Sequence, residues 1–293
     1  NYGGGGRLET LFRMTKVHVD MFKAEAEVKL AEMQKEHDEY AIVTDVYDLL
    51  YDVKLAEISL DQNEAYLDYL EMQYNADVKR YEMGMISLLD LNNSQNSYRS
   101  QVIAVSEAEN NLNQSWNALK SKIGYEFETE LVLDFDVEKL EFDKLYSLVL
   151  AEKTAMKDIS LYNTYKTYYA NDLLFKLTDD AYEPYDKEYK TAYYDAEIGR
   201  INYEDGYDSF IINMKSDFNT LIVLEMKIDI KELYLEIGKR NLEIAEQKYE
   251  LGMISQAELL LEKSRYIQDE YNYKNSIVTY NKSVLEIEEL IAE

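Results

Sequence analysis

One seven-residue segment occurs twice, and it dictates most of what this chain can become. It reads Tyr81-Glu82-Met83-Gly84-Met85-Ile86-Ser87 and, at an offset of 168 residues (81 to 249), Tyr249-Glu250-Leu251-Gly252-Met253-Ile254-Ser255. Six of the seven positions are identical, and an acid followed by leucine comes after both copies: Asp90-Leu91 and Glu258-Leu259. A lone glycine between stretches of helical patterning is the usual C-cap, because glycine enters the left-handed conformation without strain. A serine three residues on is a good N-cap, and an acid three residues after that serine completes a capping box. Each copy therefore predicts a helix, a tight reversal and a second helix running back.

The flanking sequence predicts that these helices are long. In 293 residues there are one proline and ten glycines, far fewer breaks than a loop-rich globule needs. Between Arg7 and Met83 there is neither, so an unbroken helix there would be on the order of 110 Å long at ~1.5 Å per residue. Two apolar stripes run along it in steps of three and four. One is Ala56, Leu60, Asn63, Leu67, Leu70, Tyr74, Tyr81; the other is Ile58, Ala65, Tyr69, Met72, Ala76, Met83. That is the heptad period of a packing seam, and two seams require two neighbours, as in a wall or ring. A second helix is expected over 87–122, stopping at Gly124, with Leu91, Tyr98, Val105, Leu112 and Leu119 on its seam.

Residues 125–138 break the helical pattern, and 125–133 alternate in a β-prone way, which predicts an extended linker with room for a short strand along the helices. A third helix is expected over 140–177, and residues 178–184 form a turn holding the only proline, Pro184. A fourth helix is expected over 185–251, with Gly199 and Gly206 marking a bend or close packing, and a break near 199–208 is left open. A fifth, over 255–292, carries Leu259, Tyr266, Tyr273, Tyr280 and Ile287.

The 168-residue shift aligns more than the turn. Glu57 meets Glu225, Asp61 meets Asp229, Tyr66-Leu67 meets Tyr234-Leu235, Tyr98 meets Tyr266 and Asn113 meets Asn281. A repeat of this length implies pseudo-symmetric wall elements. The division expected is a first hairpin repeat with its linker over 1–138 and a second repeat of three helices over 139–293, together one elongated, all-α domain. The helix at 140–177 has no counterpart in the first repeat, so one more helix is expected upstream of Asn1. A start at asparagine also fits removal of a signal segment.

Composition narrows the function. A formal net charge of −27 disfavours nucleic-acid binding and adsorption to an anionic membrane surface. The chain has no cysteine, which removes disulfides and thiolate sites. No apolar run approaches the ~18 residues of a spanning helix. His18 and His37 do not share a helical face, and no nucleotide-loop, nucleophile-elbow or metalloprotease motif occurs. The sequence points to no enzyme, cofactor or metal site. The 28 tyrosines read as packing seams.

The doubled Tyr-Glu-x-Gly-Met-Ile-Ser-x-x-[Asp/Glu]-Leu turn, set between a long helix and a shorter one, resembles the TolC family of outer-membrane efflux ducts. The resemblance covers nearly the whole chain. It implies three chains closing into a twelve-helix α-barrel, in the extracytoplasmic cell envelope, with the hairpin tips meeting a membrane-fusion adaptor that connects to an inner-membrane pump. By that likeness the docking tips are Tyr81, Met83, Gly84, Met85, Ile86 and Ser87 with Tyr249, Leu251, Gly252, Met253, Ile254 and Ser255, and the aperture acids are Asp90 and Glu258. A further family acid would fall at Leu261, where this chain departs. The family also places paired β-strands between the third and fourth helices. The interval 178–184 cannot hold two strands of ~9–11 residues each, so a variant without the β-barrel is expected. Either the chain comes from a cell lacking the usual outer membrane, or the barrel was replaced; the glycine run at 3–6 fits both. The expected function is a duct component of a tripartite efflux or type I secretion system. The alternative is a non-channel helical spacer of the envelope, which would not need to close into a ring.

Overall fold

The structure is a computed structural model that describes residues 5–143 and 145–291. Among these the chain forms α1 (Gly5–Glu82), α2 (Leu88–Ile123), α3 (Leu148–Thr154), a 3-10 turn (Ala155–Lys157), α4 (Ile159–Ala181), α5 (Lys187–Glu250) and α6 (Gln256–Ile291), with no strand. Gly5 and Gly6 open α1; the expectations for Gly3, Gly4 and the chain upstream of Asn1 lie outside the described residues.

Most boundaries follow the capping chemistry. Gly124 ends α2 at φ 81° and its N–H reaches the Lys120 carbonyl. One expectation is corrected, the single helix over 140–177, and two open alternatives are decided. Residues 125–138 are the expected linker and hold no strand; a turn closes where the Thr129 N–H reaches the Glu126 carbonyl, and Phe135, Asp136 and Val137 lie against α1 and α6. The single helix expected over 140–177 is two helices with a 3-10 turn between them. It starts late because the Leu140 N–H is taken by the Asn281 side chain and Ser147 caps α3, and it breaks where the Asp158 carboxylate caps the Leu161 N–H. The possible break at 199–208 does not occur, and α5 runs through it. The two glycines there are close-packing positions: a Cβ on Gly199 would stand 3.1 Å from the Tyr168 Cα, and one on Gly206 would meet Leu161 and Thr164.

The chain groups into two compact units, each drawing on both repeats. The first comprises Asn1–Ile42, Asp143–Thr220 and Leu285–Glu293. Here α4 lies between α1 and α5. Phe22 packs on Tyr169, Lys29 lies over the Tyr162 ring and Lys166 pairs with Glu27 on the α1 side. On the α5 side Tyr165 and Tyr168 meet Tyr203, and Phe175 meets Tyr189 and Tyr193. Such ring pairs contribute about 0.5–1.5 kcal/mol each beyond their buried area. The expected aromatic seam is found here.

The second unit comprises Val43–Phe142 and Leu221–Val284, and holds both repeated turns. Its contacts give the helix order α2–α1–α6–α5. Asn63 and Tyr74 of α1 receive Gln101 and Gln95 of α2, and Tyr74 stacks on Tyr98. On its opposite flank α1 meets α6 through Asp48–Lys282 and Tyr51–Asn281. Helix α6 then meets α5, where the Asp269 carboxylate lies against the backbone of Gly238. The two seams read from the α1 sequence thus have two neighbours, as a wall requires.

Candidate docking turns and the open helix flank

Each turn is built by its own residues. Gly84 and Gly252 have φ of 70° and 67°, with nothing within 4 Å of a Cβ at either position. Two backbone bonds close each helix end: Gly84 N–H to the Tyr81 carbonyl and Met85 N–H to the Arg80 carbonyl, then Gly252 N–H to Tyr249 and Met253 N–H to Lys248. This is the Schellman pairing, which satisfies carbonyls that would otherwise lack partners.

The next helix starts on a capping box. The Asp90 N–H donates to the Ser87 hydroxyl at 3.2 Å, and the Ser87 N–H donates back to the Asp90 carboxylate at 3.1 Å. Ser255 and Glu258 repeat this at 3.3 and 2.7 Å. The two acids expected at an aperture are therefore engaged in the caps. The Ser87 hydroxyl and N–H hold the Asp90 carboxyl below its ordinary range, and the Ser255 N–H and hydroxyl do the same for Glu258.

The outer surface of the two turns matches. Met85 and Met253 are each 69% exposed, with Tyr81, Met83, Tyr249 and Leu251 also exposed, while Ile86 and Ile254 turn partly inward. Lys79, just before the first turn, and Gln256, just after the second, line one groove of about 560 Å³ with Asp68, Met72, Ala76 and Leu260. Both corners therefore lie at the same end of this unit. One feature was not anticipated from the sequence: Leu88 and Leu89 are exposed beside the first turn, where the second has Gln256 and Ala257. The only signal for it is a leucine pair directly after the N-cap.

A second surface lies on α5. Met226, Ile230, Leu233, Ile237 and Ile244 step along one flank in threes, fours and a seven, and all are exposed. The 168-residue shift maps them onto Ile58, Gln62, Ala65, Tyr69 and Ala76 of α1, the flank that faces α6. There Ala65 is buried, Ile58, Gln62 and Tyr69 are half-buried, and Ala76, nearest the turn, is exposed.

His18 is exposed, and His37 pairs with Glu289 in the first unit. Among the described residues no group of three or more His, Cys, Asp or Glu side chains could hold a metal ion, and no helix is long and apolar enough to cross a membrane.

Comparison with known proteins agrees with this geometry. The profile of the outer membrane efflux protein family matches residues 10–125. The chain has a TolC-type fold. The CusC channel superposes with a TM-score of 0.65 at 12% identity, over 92% of this chain and 72% of CusC. The VceC outer membrane protein of Vibrio cholerae gives 0.59 at 13% identity, over 94% and 75%. The CmeC outer membrane channel of Campylobacter jejuni gives 0.59 at 12%, over 92% of this chain but only 66% of CmeC. No curated protein matches in sequence. Within this TolC-type fold, α4 and α5 are joined by residues 182–186 alone, and no strand lies between them.

Proposed function

We propose that the chain is a wall component of an efflux or secretion duct in the cell envelope. Three copies close into a ring, and the two turns dock a membrane-fusion adaptor that connects to an inner-membrane pump. The observation that carries this reading is the equivalence of the two flanks. The α1 stripe is covered by α6 of the same chain from Ile58 to Tyr69, and Ala76 lies in the groove beside α6; its repeat copy on α5 is apolar and open. The surface equivalent to α6 is the free flank of α2, because Gln256 and Leu260 map onto Leu88 and Asn92. A second copy placed as α6 is placed on α1 would cover the α5 stripe with its α2. Repeating the operation is a head-to-tail association, which gives a ring when the rotation closes.

The turns support the docking half of the proposal. Capping chemistry accounts for Gly84, Ser87 and Asp90 and their counterparts. It does not account for outward Tyr81, Met85, Tyr249 and Met253, which add apolar area at an exposed corner as interaction sites do. Asp90 and Glu258 hold these corners in shape, and in a ring they would stand near its narrow end. The test is capture by the adaptor. Met85→Glu with Met253→Glu leaves both glycines and both caps intact, and is expected to abolish capture and export. Unchanged capture by this folded double variant would end the docking claim. A stable monomer would favour a non-channel spacer instead.

A further inference from the structure

The first unit carries an aromatic ladder that ends on acids. Phe22 of α1 packs on Tyr169 of α4, Tyr169 stacks on Tyr165, and Tyr165 meets Tyr203 of α5. Tyr203 also stacks on Tyr168, with ring centroids 5.6 Å apart and planes 9° apart. One turn further along α5, Tyr207 closes the ladder with its ring 6.3 Å from that of Tyr203. Tyr169, Tyr165 and Tyr203 each lie between other rings; among the described residues Tyr207 meets Tyr203 alone.

A cavity of about 320 Å³ opens here, lined by Tyr203, Glu204, Tyr207 and Asp208. That is the lower end of the size range of small-molecule sites. The Tyr203 hydroxyl points at the Met156 sulfur, 4.0 Å away. Burial first, and then the negative charges of Glu152 on α3 and of Asp208, raise the Tyr207 phenol above its ordinary value. Glu204 is neutralised by Arg200, which donates to both of its oxygens at 2.8 Å. Glu152 and Asp208 are exposed, and among the described residues neither forms an ion pair.

Other rings of this chain show what such a place accepts. Lys29 lies over Tyr162, Lys120 over Trp116, Lys139 over Tyr280 and Lys231 over Tyr234. A cation is drawn to the negative face of an aromatic ring, and carboxylates beside the ring add to the attraction. Among the described residues no lysine or arginine lies over Tyr207. An anion would be repelled by Glu152 and Asp208, and a neutral ligand would leave both charges unused. A metal ion would need a tighter set of ligands than these residues form. Rings on one side and free carboxylates on the other suit a charged centre wrapped in carbon.

We propose that the notch at Tyr203, Tyr207 and Asp208 binds a small organic cation of the alkylammonium class, held on the Tyr207 ring and neutralised by Asp208. Glu152 adds attraction from the α3 side. The site lies in one unit of one chain and depends on neither adaptor docking nor ring closure.

Equilibrium dialysis of the whole chain against radiolabelled tetraethylammonium tests this. A net charge of −27 attracts any cation weakly, so the comparison is between variants. Tyr207→Leu removes the ring, Tyr207→Phe keeps it, and Asp208→Asn removes the charge at constant shape. Glu107→Gln removes an exposed acid on α2 as a control for net charge. Affinity is expected to fall about threefold or more in Tyr207→Leu and in Asp208→Asn, and to stay within about twofold of the parent in Tyr207→Phe and Glu107→Gln. If Tyr207→Leu loses helix content, Asp208→Asn decides, because its side chain is exposed. The proposal is overturned if the parent retains no tetraethylammonium, if Asp208→Asn binds as the parent does, or if Glu107→Gln weakens binding as much as Asp208→Asn.

Discussion

The two hairpins of the second unit share a turn and differ in their company. Helix α6 is partly or fully buried along most of its length because it has α5 on one side and α1 on the other, whereas α2 has only α1 and is mostly exposed. The long helices differ in the same sense: α1 is flanked on both sides, and α5 leaves an apolar flank open. The turns, by contrast, agree in φ, in hydrogen bonds and in the exposure of their methionines. Packing neighbours therefore do not explain why the turns are alike, and the shared turn does not explain why the flanks differ. On the proposed function, the likeness is explained by a common partner at the corners and the difference by the edges a second copy would cover.

Substitutions at equivalent positions can break this comparison. The largest effect is expected for aspartate on the α1 seam. Ala65 is buried, so Ala65→Asp would strand a carboxylate and is expected to cost about 3 kcal/mol or more. Leu233→Asp, at the repeat-equivalent exposed site, is expected to change single-chain stability by about 0.5 kcal/mol or less while weakening assembly. Denaturant unfolding and light scattering on both variants check this. Next comes asparagine: Asn281→Leu removes three hydrogen bonds in the interior and is expected to cost about 2–4 kcal/mol, against a negligible change for Asn113→Leu. A smaller and matched effect is expected at the glycines. A side chain at φ near +70° costs roughly 1–2 kcal/mol, so Gly84→Val and Gly252→Val should destabilise equally; unequal losses would show that the turns are not equivalent.

The smallest effect is that of pH. Both cap carboxyls are held below their ordinary values in the folded chain. Their contribution is fully present above the ordinary carboxylate range, near pH 4, and declines as pH falls from there through the lowered folded values. Hydrogen exchange at residues 88–91 and 256–259 should therefore speed up together below about pH 4, beyond the intrinsic pH dependence of exchange.

The long helices, both turns and the two-sided seam of α1 were legible in the sequence, because glycine, serine and acid spacing fixes local ends and a heptad stripe fixes which face is covered. The split of the third helix was not. It turns on Asp158 choosing to cap Leu161, and a single aspartate in a helical pattern gives no warning of that choice. The linker after α2 was half legible: the break in helical pattern marked it as a linker, but the partners of residues 136–139, Asn281, Lys274 and Glu225, come from 86 to 143 residues away in sequence, and nothing local identifies them. Both glycines of α5 were read as a bend or close packing. Only the backbone of Tyr168 beside Gly199 decides for packing.

Closure of the wall through the α5 flank is the central claim, and one cross-linking measurement tests it most directly. Ala76 and Leu260 line the same groove within the chain, and their repeat equivalents are Ile244 and Asn92. The cysteine-free chain carrying Ile244→Cys and Asn92→Cys should form disulfides between copies on mild oxidation, giving dimer and trimer bands with nothing above the trimer. A chain that stays monomeric, or a ladder that continues past three, would contradict a closed three-copy duct.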